Sequence, residues 1–414
     1  MEKTVVELFA GVGGFRVGLN DIKGFDENGK AIENRDWKFV WADQWEPETK
    51  IQHAYDCYVT RFGDECSNED IAKVDKSKIP NHSLLVGGFP CQDYSVARSL
   101  SQEKGIEGKK GVLFWEIAKV LKAKKTPFIL LENVDRLLKS PSTQRGRDFG
   151  IMLRTLNDLG YNVEWRVVNA ADYGAAQRRR RVFIFGWKQK LNYNKQLNKV
   201  SPLDYIYKDG LFAKSFPITI NDKDTINEID ILNFEDTVEM TQRFKAPFKN
   251  AGVMINGKIY TIETNPIEEK PITLGEIREN RKGLEKYILK GEAESKFKYL
   301  RGAKKIERTR PNGEKYFYSE GSMSLYDSLD LPGRTMLTSE GSVNRSTHII
   351  PDKETGKLRL ITPIEAERLQ SFPDNWTNTG MPERRRYFMM GNALVTRLIN
   401  RMEPVLSNII NNEK

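Results

Sequence analysis

A cysteine follows an apolar, strand-like segment in the sequence LLVGGFPCQDYS of residues 84–95. A lone cysteine is more often a small buried hydrophobic residue than a nucleophile. Here Pro90 fixes the backbone before Cys91, the two glycines open the turn, and the polar residues that follow favour a solvent-facing loop. A thiolate in such a loop can act as a nucleophile if a positive or hydrogen-bonding group lies nearby. Cys91 is therefore the first candidate catalytic residue.

Two later segments carry charged side chains that could share a pocket with this thiol. One is an apolar run that ends in Glu132, and the other is a run of arginines that follows Gln177. Glu132 ends the segment FILLE, where burial would raise the pKa of its carboxyl group; an ordinary strand-end acid is the alternative. Four consecutive arginines, Arg178 to Arg181, alternate in direction if they lie on a strand. Two of them would then face the sheet end and two would face solvent. Phosphate binding and simple solvation are both open interpretations of this cluster.

A glycine-rich turn and a later aspartate indicate a nucleoside-containing ligand. Gly11, Gly13 and Gly14 follow the β-rich run TVVELFA and allow the backbone to approach a ligand closely. The spacing lacks the full dinucleotide fingerprint, so an ordinary strand-to-helix turn is an equal alternative. Asp43 ends the next strand, where a carboxylate can accept hydrogen bonds from ribose hydroxyl groups. The two features together favour a nucleoside-containing cofactor.

Alternating strands and helices in the first two hundred residues can bring these positions to one edge of a sheet. FVWAD, LLVGGFPC and PFILLENV read as strands, GVLFWEIAKVLKAKK and FGIMLRTLNDLG read as helices, and residues 161–187 read as a hairpin. This alternation predicts an α/β fold with a mostly parallel sheet and helices on both faces. Ligands of such sheets bind beyond the carboxyl ends of the strands, which is where the glycine turn, Asp43, Cys91 and Glu132 fall.

Composition limits the class of protein. Of 414 residues 30% are charged, and no segment approaches the roughly 20 apolar residues of a membrane span. The N-terminus has no secretory signal, so we expect a soluble cytoplasmic protein with reduced cysteines. Three cysteines and three histidines at scattered positions fit no zinc pattern, and no metal site is expected.

The chain between residues 190 and 345 loses the strand–helix alternation and reads as a second domain inserted into the first. Residues 281–315 contain twelve Lys and Arg against five Asp and Glu, interleaved with aromatic residues. Such a composition suits a nucleic acid, and a solvated surface is the alternative. Residues 222–240 are rich in acids and are expected to face away from any nucleic acid.

Six ordered segments resemble the motifs of the DNA (cytosine-5) methyltransferases. They are ELFAGVGGFR, GGFPCQDYS, ENV, QRRRRVFIFG, LRLITPIEAERLQSFPD and GNALV, within residues 4–187 and 358–409. The resemblance implies a Rossmann-like, S-adenosylmethionine-dependent methyltransferase sheet with helices on both faces and a smaller inserted target-recognition domain. The implied catalytic, cofactor-binding domain comprises residues 1–190 and 385–414, and the target-recognition domain with its hinge comprises residues 191–384.

The resemblance also implies a reaction, in which a methyl group passes from S-adenosylmethionine to carbon 5 of a cytosine flipped out of duplex DNA. Cys91 would add to carbon 6 and make carbon 5 nucleophilic, on a loop that closes over the base. Glu132 would bind the N3 and amino edge, and a proton at N3 would favour the addition. Arg179 and Arg181 match the arginines of the family's Gln-x-Arg-x-Arg motif, which hold the base and help to position the nucleophile.

The cofactor-binding residues implied by the resemblance are Phe9, Gly11, Gly13, Gly14, Phe15, Asp43, Gln44, Asp70, Ile71, Pro90, Leu113, Asn392 and Ala393. Two of them depart from the family pattern. Asp43 stands where glutamate is usual, and Gln44 stands where many members carry an aromatic or aliphatic residue. We expect cofactor binding to survive both departures.

DNA contacts are expected from four residues, Lys110, Gln177, Arg334 and Arg345. Lys110 lies in a catalytic loop slightly longer than in compact members, and Gln177 opens the arginine motif. Arg334 and Arg345 lie in residues 319–346, whose Ser, Thr, Asn and Arg residues could approach the groove. Phosphate contacts from residues 281–315 would supply affinity, and base-edge contacts would supply sequence choice.

The resemblance is to a bacterial restriction–modification methyltransferase, a monomer that acts on double-stranded DNA, with a cognate restriction endonuclease as a separate partner. An RNA methyltransferase on the same fold is one alternative, and the basic insertion favours duplex DNA over it. A non-catalytic nucleic-acid-binding relative is another, although it would not need Cys91, Glu132, Arg179 and Arg181. A nucleotide-dependent oxidoreductase would explain only the glycine turn and Asp43.

Overall fold

One large sheet organises most of the chain in the computed structural model, which describes residues 1–47, 49–89, 113–220, 225–310 and 312–413. Its ten strands are β1 (Thr4–Leu8), β2 (Lys38–Asp43), β3 (Cys66–Ser67), β4 (Leu84–Gly88), β5 (Phe128–Val134), β6 (Tyr161–Asn169), β7 (Arg180–Lys188), β8 (Asn227–Asp230), β9 (Ala251–Ile255) and β10 (Lys258–Ile262). They lie in the order β3-β2-β1-β4-β5-β7-β6-β9-β10-β8.

The sheet is parallel in one half and antiparallel in the other. Strands β3, β2, β1, β4 and β5 pair in parallel. Strand β7 runs antiparallel to both β5 and β6, which confirms the expected hairpin over residues 161–187. Strands β9, β10 and β8 continue the antiparallel half. The expectation of a mostly parallel sheet was wrong for this half, because the short links β6–β7 and β9–β10 cannot carry a parallel crossover.

Helices cover both faces of the sheet, as expected. They are α1 (Gly14–Leu19), α2 (His53–Phe62), α3 (Leu113–Lys124), α4 (Arg147–Asp158), α5 (Asn192–Leu197), α6 (Pro202–Asp204), α7 (Leu211–Ser215), α8 (Thr237–Arg243), α9 (Leu274–Ile277), α10 (Gly291–Arg301), α11 (Pro363–Leu369), α12 (Glu383–Asn392) and α13 (Thr396–Asn411). Val5 of β1 belongs to the core cluster formed with α1, α5, α7 and α13. Its neighbour Val6 belongs to the cluster formed with α3, α4 and α8 on the other face. This alternation is the period of two that places successive strand residues on opposite faces.

The sheet continues past residue 190, where the sequence analysis places the end of the catalytic domain. Strand β9 pairs with β6 over Val163–Arg166, and β10 and β8 add to it in turn. Residues 227–262 therefore contribute three strands to the large sheet. The three strands are only four or five residues long, and β8 lies within the acidic residues 222–240. The sequence of this segment therefore shows no alternation of strands and helices that would assign it to the sheet.

The remainder of the inserted region contains two small antiparallel pairs outside the large sheet. These are β11 (Lys304–Thr309) with β12 (Lys315–Glu320), and β13 (Ile349–Pro351) with β14 (Leu358–Leu360). A third core cluster joins Leu274, Met336 and Leu369 of this part of the chain to Val12 and Val17 beside the glycine turn. Within the described ranges, none of the helices combines the length and the apolar character needed to cross a membrane.

Candidate active site

The glycine turn connects β1 to α1 and approaches the carboxyl edge of the sheet. Gly11 and Gly13 have φ values of +56° and +84°, a left-handed conformation that favours glycine. A Cβ atom on Gly13 would lie 2.4 Å from a ring carbon of Phe62, and one on Gly14 would lie 3.0 Å from Leu394 Cγ. A Cβ atom on Gly11 would meet nothing within 4 Å. Close packing therefore requires Gly13 and Gly14 to be small, whereas Gly11 borders open space.

That open space is a cleft of about 370 Å³ at the carboxyl ends of β1, β4 and β5. This volume lies in the range of small-molecule sites. Residues expected to bind cofactor or base form much of its wall: Phe9, Gly11, Gly14, Phe15, Gln44, Glu132, Arg179, Arg181, Asn392 and Ala393. The structure thus brings together in one wall residues from near the two ends of the chain.

The cleft wall also contains residues that the sequence analysis did not single out, namely Glu7, Glu46, Asn133, Met389 and Leu394. Glu7 is the one for which the sequence carries a signal, because it is an acid inside the otherwise apolar run TVVELFA. It is 1% exposed, accepts a hydrogen bond from the Phe15 amide at 3.2 Å, and accepts another from the Tyr58 hydroxyl at 3.2 Å. Burial raises the pKa of Glu7 to about 8, against the lowering effect of the Arg16 guanidinium.

The end of β2 presents Gln44 rather than Asp43 to the cleft. The Gln44 side-chain oxygen accepts a hydrogen bond from the Gly11 amide at 2.7 Å, and Glu46 lines the cleft beside it. Asp43 is 2% exposed and is not part of the cleft wall. Burial raises its pKa to about 7, with Asp70 and Glu69 contributing in the same direction. Its Oδ1 atom has no hydrogen-bond partner among the described residues.

Four further residues expected at the cofactor, Gly13, Asp70, Ile71 and Leu113, lie outside the described cleft wall. Asp70 is half-buried, and its Oδ1 accepts a hydrogen bond from the Ala72 amide at 3.0 Å. Ile71 is 4% exposed and belongs to the core cluster on the α3 face of the sheet. Leu113 is half-buried at the first residue of α3. Pro90, Cys91 and Lys110 lie outside the described residues.

An ion pair stands where β5 meets β7 at the cleft. Arg181 Nε lies 2.9 Å from Glu132 Oε1, and the two side chains are only 17% and 13% exposed. Next to Glu132, the Asn133 amide group donates a hydrogen bond to the Phe89 carbonyl at 2.9 Å. Phe89 is the last described residue before the Pro90–Cys91 segment. This hydrogen bond therefore holds Phe89 next to the end of β5, where Glu132 lies.

The four arginines alternate in exposure, although only Arg180 and Arg181 lie on β7 and the other two precede it. Arg178 and Arg180 are exposed, whereas Arg179 is 2% exposed and Arg181 faces the cleft. Arg179 donates hydrogen bonds to the Met336 carbonyl at 3.0 Å and to the Gly391 carbonyl at 2.9 Å. Burial lowers the pKa of Arg179 to about 9, and the neighbouring Arg181 lowers it further.

Three of the residues expected to contact DNA are occupied by partners inside the protein. Gln177 is fully buried, accepts a hydrogen bond from the Met336 amide and donates one to the Leu369 carbonyl. Arg334 is paired with Asp327 at 2.6 Å. Arg345 is paired with Glu320 at 3.3 Å and donates to the Leu300 carbonyl at 2.6 Å. Contacts within the protein therefore engage all three side chains, and contacts of these residues with DNA stay a prediction.

Gly11 and Gly160 form a matched pair for testing the cleft. Both have positive φ values, +56° and +79°, and a Cβ atom on either would meet nothing within 4 Å. Alanine at either site should therefore cost about 1 kcal/mol of stability through backbone strain alone. Only Gly11 borders the cleft, so we expect Gly11→Ala to weaken S-adenosylmethionine binding at least about tenfold in calorimetry, because each 1.4 kcal/mol of lost contact is a factor of ten. Equal weakening by Gly160→Ala would contradict this assignment.

The raised pKa of Glu7 predicts a dependence of stability on pH. The folded protein retains a proton on Glu7 that the unfolded chain releases above pH 4.5, so the free energy of unfolding should fall as the pH rises from about 4.5 to about 8. Glu7→Gln removes this titration. We expect the melting temperature of the variant to improve relative to that of the native protein between pH 6 and pH 9. A constant difference across this range would show that Glu7 is ionised in the folded protein throughout.

Comparisons with known proteins agree on one family. A family model described as C-5 cytosine-specific DNA methylase matches residues 3–407. The type II methyltransferase M.Sau3AI of Staphylococcus aureus is 57% identical over 403 residues, which span 96% of this chain and 94% of that protein. M.HhaI of Haemophilus parahaemolyticus is 32% identical over 211 residues, which span 51% of this chain and 57% of that protein.

A solved structure shows the same fold at low sequence identity. The Dnmt2 methyltransferase of S. pombe has a TM-score of 0.60 and 14% identity, with coverage of 99% of this chain and 100% of that chain. The family model and the full-length similarity to M.Sau3AI both extend over the cleft, its acids and its arginines. The chain belongs to the family of C-5 cytosine-specific DNA methylases.

Proposed function

We propose that the protein transfers a methyl group from S-adenosylmethionine to carbon 5 of one cytosine in a short duplex DNA sequence, as the modification enzyme of a type II restriction–modification system. The observation that carries the proposal is the Glu132–Arg181 ion pair at the cleft, next to the chain segment that leads into Cys91. Full-length similarity to a type II methyltransferase supports the restriction–modification setting.

The residues of the cleft fit S-adenosylmethionine, which supplies an electrophilic methyl group when bound. Gly11 leaves room for a ligand against the backbone, and Gln44 fixes this part of the turn through the Gly11 amide. The Asp43 oxygen without a described partner is a hydrogen-bond acceptor available at the same edge of the sheet. Glu46 also lines the cleft, and its carboxyl group suits a ligand that carries a sulfonium and an ammonium group.

The chemistry assigned to the protein's own side chains concerns a cytosine placed in the cleft. The Cys91 thiolate forms a bond to carbon 6, the π electrons of the C5–C6 bond form a C4–C5 double bond, and the C4–N3 π electrons take up a proton at N3. Glu132 is a carboxylate in its ion pair with Arg181; it takes this proton from solvent as the base binds and passes it to N3, while Arg181 orients the group towards the base. After carbon 5 has been methylated, its proton leaves to solvent, the N3 proton returns to Glu132, and elimination of the thiolate restores the C5–C6 double bond.

Arg179 has a positioning role in this proposal. Its guanidinium joins the Met336 carbonyl of the inserted region to the Gly391 carbonyl, and Gly391 precedes the cofactor residues Asn392 and Ala393. One buried side chain therefore holds target-recognition and cofactor-binding parts of the chain in a fixed relation. A buried arginine of this kind makes breaking the arrangement costly, because the freed carbonyls and charge would lose their partners.

In this proposal the target-recognition region lies within the residues 191–384 expected from the sequence and excludes residues 227–262, which contain three strands of the large sheet. Similarity to M.Sau3AI spans 96% of the chain and therefore includes most of this region. We propose on this basis that the two proteins modify the same DNA sequence. A separate endonuclease, a monomeric state and a cytoplasmic location follow from the same restriction–modification setting.

The experiment that tests the function incubates the purified protein with S-adenosylmethionine and mixed-sequence duplex DNA, and maps 5-methylcytosine at base resolution. We expect methylation at one short motif. The same DNA, fully methylated beforehand by M.Sau3AI, should accept no further methyl groups. New methylation on that DNA would refute the shared sequence alone, whereas methylation of RNA and not of DNA would refute the proposed substrate.

A further inference from the structure

A two-stranded ribbon, residues 304–309 and 315–320, lies in the inserted region. It consists of β11 and β12, paired in register from Lys304 opposite Glu320 to Thr309 opposite Lys315. It shares no ladder with the large sheet or with the β13–β14 pair. An isolated pair of strands is only marginally stable in water. The ribbon therefore depends on how its base is held.

Charged contacts fasten the base of the ribbon to the protein. Arg345 donates hydrogen bonds to the carbonyls of Leu300 and Gly321, on the two sides of the ribbon's base, and pairs with Glu320. Lys304 donates to the Leu300 carbonyl at 3.0 Å. These contacts engage the Arg345 guanidinium at the base of the ribbon. They hold the two ends of the ribbon while its body remains free of the protein core.

The two faces of the ribbon differ in exposure. One face consists of Lys304, Ile306, Arg308, Tyr316, Tyr318 and Glu320. Lys304, Ile306 and Glu320 are half-buried, whereas Arg308, Tyr316 and Tyr318 are exposed. The opposite face, which we call the outer face, consists of Lys305, Glu307, Thr309, Lys315, Phe317 and Ser319. Every one of these residues is exposed, and Phe317 is 63% exposed. Phe317 lies beside Tyr316 and Tyr318, which are 36% and 39% exposed, and a contiguous cluster of exposed rings, unlike a single exposed apolar residue, is a mark of an interaction surface.

Charge indicates what this surface binds. The Lys305 ammonium lies 5.8 Å from the centre of the Phe317 ring on the outer face, and the Arg308 guanidinium lies 4.1 Å from the Tyr318 ring on the other. Neither Lys305 nor Arg308 has a carboxylate partner within the described parts of the chain, whereas Lys304, Arg310 and Lys315 do. Residues 281–315 carry seven more basic than acidic side chains. Unpaired cations beside exposed rings complement a polyanion with stacked bases.

We propose that this ribbon enters the major groove of the DNA duplex and that its outer face reads part of the recognition sequence. The proposal rests on the proposed function. Six paired residues at about 3.4 Å each give a ribbon about 20 Å long, and a major groove about 12 Å wide admits two antiparallel strands. Lys305, Thr309 and Ser319 offer hydrogen-bonding groups to base edges, and Phe317 offers an apolar contact to a thymine methyl group.

Two double variants test the ribbon, because each removes one cation and one ring from opposite faces. K305A/F317A alters the outer face, and R308A/Y318A alters the other face at the same change of charge. The wild-type protein and both variants are assayed for kcat/KM on duplexes carrying the mapped methylation site and on duplexes with single base-pair changes in it. Thermal unfolding and S-adenosylmethionine binding check that each variant is folded.

We expect K305A/F317A to lose about 10- to 100-fold in kcat/KM on the mapped site and to discriminate less against one or two of the changed base pairs. R308A/Y318A should lose affinity similarly on all duplexes and keep the discrimination of the wild type. Unchanged discrimination in K305A/F317A would overturn the inference. Methylation by the wild type in the same assay establishes the proposed function separately, so a failure of the ribbon cannot be confused with a failure of the enzyme.

Discussion

We expect replacement of Cys91 by serine to reduce methyl transfer at least about 10⁴-fold, the scale seen when an enzyme loses its nucleophile. A serine hydroxyl is far less ionised than a thiol at neutral pH, so the attack on carbon 6 loses its nucleophile. Single-turnover transfer of labelled methyl groups to duplex DNA measures this loss. Binding of S-adenosylmethionine, measured by calorimetry, should remain within about threefold of the native value, because the thiol has no proposed role in holding the cofactor.

The other two cysteines provide the control for Cys91. Cys57 is fully buried, and burial raises the pKa of its thiol to about 12. Cys66 is 6% exposed, and burial holds its thiol pKa well above the ordinary value. Neither can supply a thiolate at neutral pH. Cys66→Ser should therefore retain methyl transfer, and equal loss in Cys66→Ser and Cys91→Ser would mean that both thiols are structural.

Local sequence was sufficient to predict the features that depend on neighbouring residues. The glycine turn does follow a strand and borders a cleft, as expected, and Arg178 to Arg181 do alternate in exposure, with Arg180 and Arg181 at the start of β7. The hairpin of β6 and β7 is also local, since its strands are joined by a short connection. In each case the residues that determine the geometry lie within a few positions of one another.

The side chain that faces the cleft at the end of β2 could not be chosen from sequence. Asp43 and Gln44 are adjacent, and adjacent residues at a strand end point to opposite sides. If the family motif is aligned to this sequence with an error of one residue, the buried Asp43 is therefore assigned to the cleft in place of Gln44. The structure places Gln44 and Glu46 at the cleft and leaves Asp43 behind them.

Long-range partners explain the remaining differences. Arg334 lies in a polar segment, where its side chain is expected to be available for DNA, yet it donates hydrogen bonds to Asp327 and to the Thr347 carbonyl. Gln177 meets Met336 and Leu369, which lie more than 150 residues further along the chain. Strand β9 joins the sheet only because β6 presents an unpaired edge to it. Composition cannot reveal which of many polar or apolar segments will meet such a partner.

Replacement of Glu132 by glutamine is expected to lower the rate of methyl transfer about 10²- to 10⁴-fold, the usual contribution of a positioned acid or base. The change removes the proton donor for N3 and leaves Arg181 without the carboxylate that lies 2.9 Å away. Single-turnover rates with saturating S-adenosylmethionine measure the chemical step. Cofactor affinity should change little, since the proposed partner of Glu132 is the base and not the cofactor.

Asp135 gives a matched control just beyond the end of the same strand. It pairs with Arg180 at 3.2 Å, and both side chains are substantially exposed, at 41% and 59%. Asp135→Asn therefore removes the carboxylate of a second Asp/Glu–Arg ion pair, the one between Asp135 and Arg180, which lies outside the cleft wall. An exposed pair of this kind contributes at most about 1 kcal/mol, so the rate of Asp135→Asn should stay within about threefold of the native rate. If Asp135→Asn were as slow as Glu132→Gln, loss of charge near the arginines would explain both, and Glu132 would have no separate role in protonating the base.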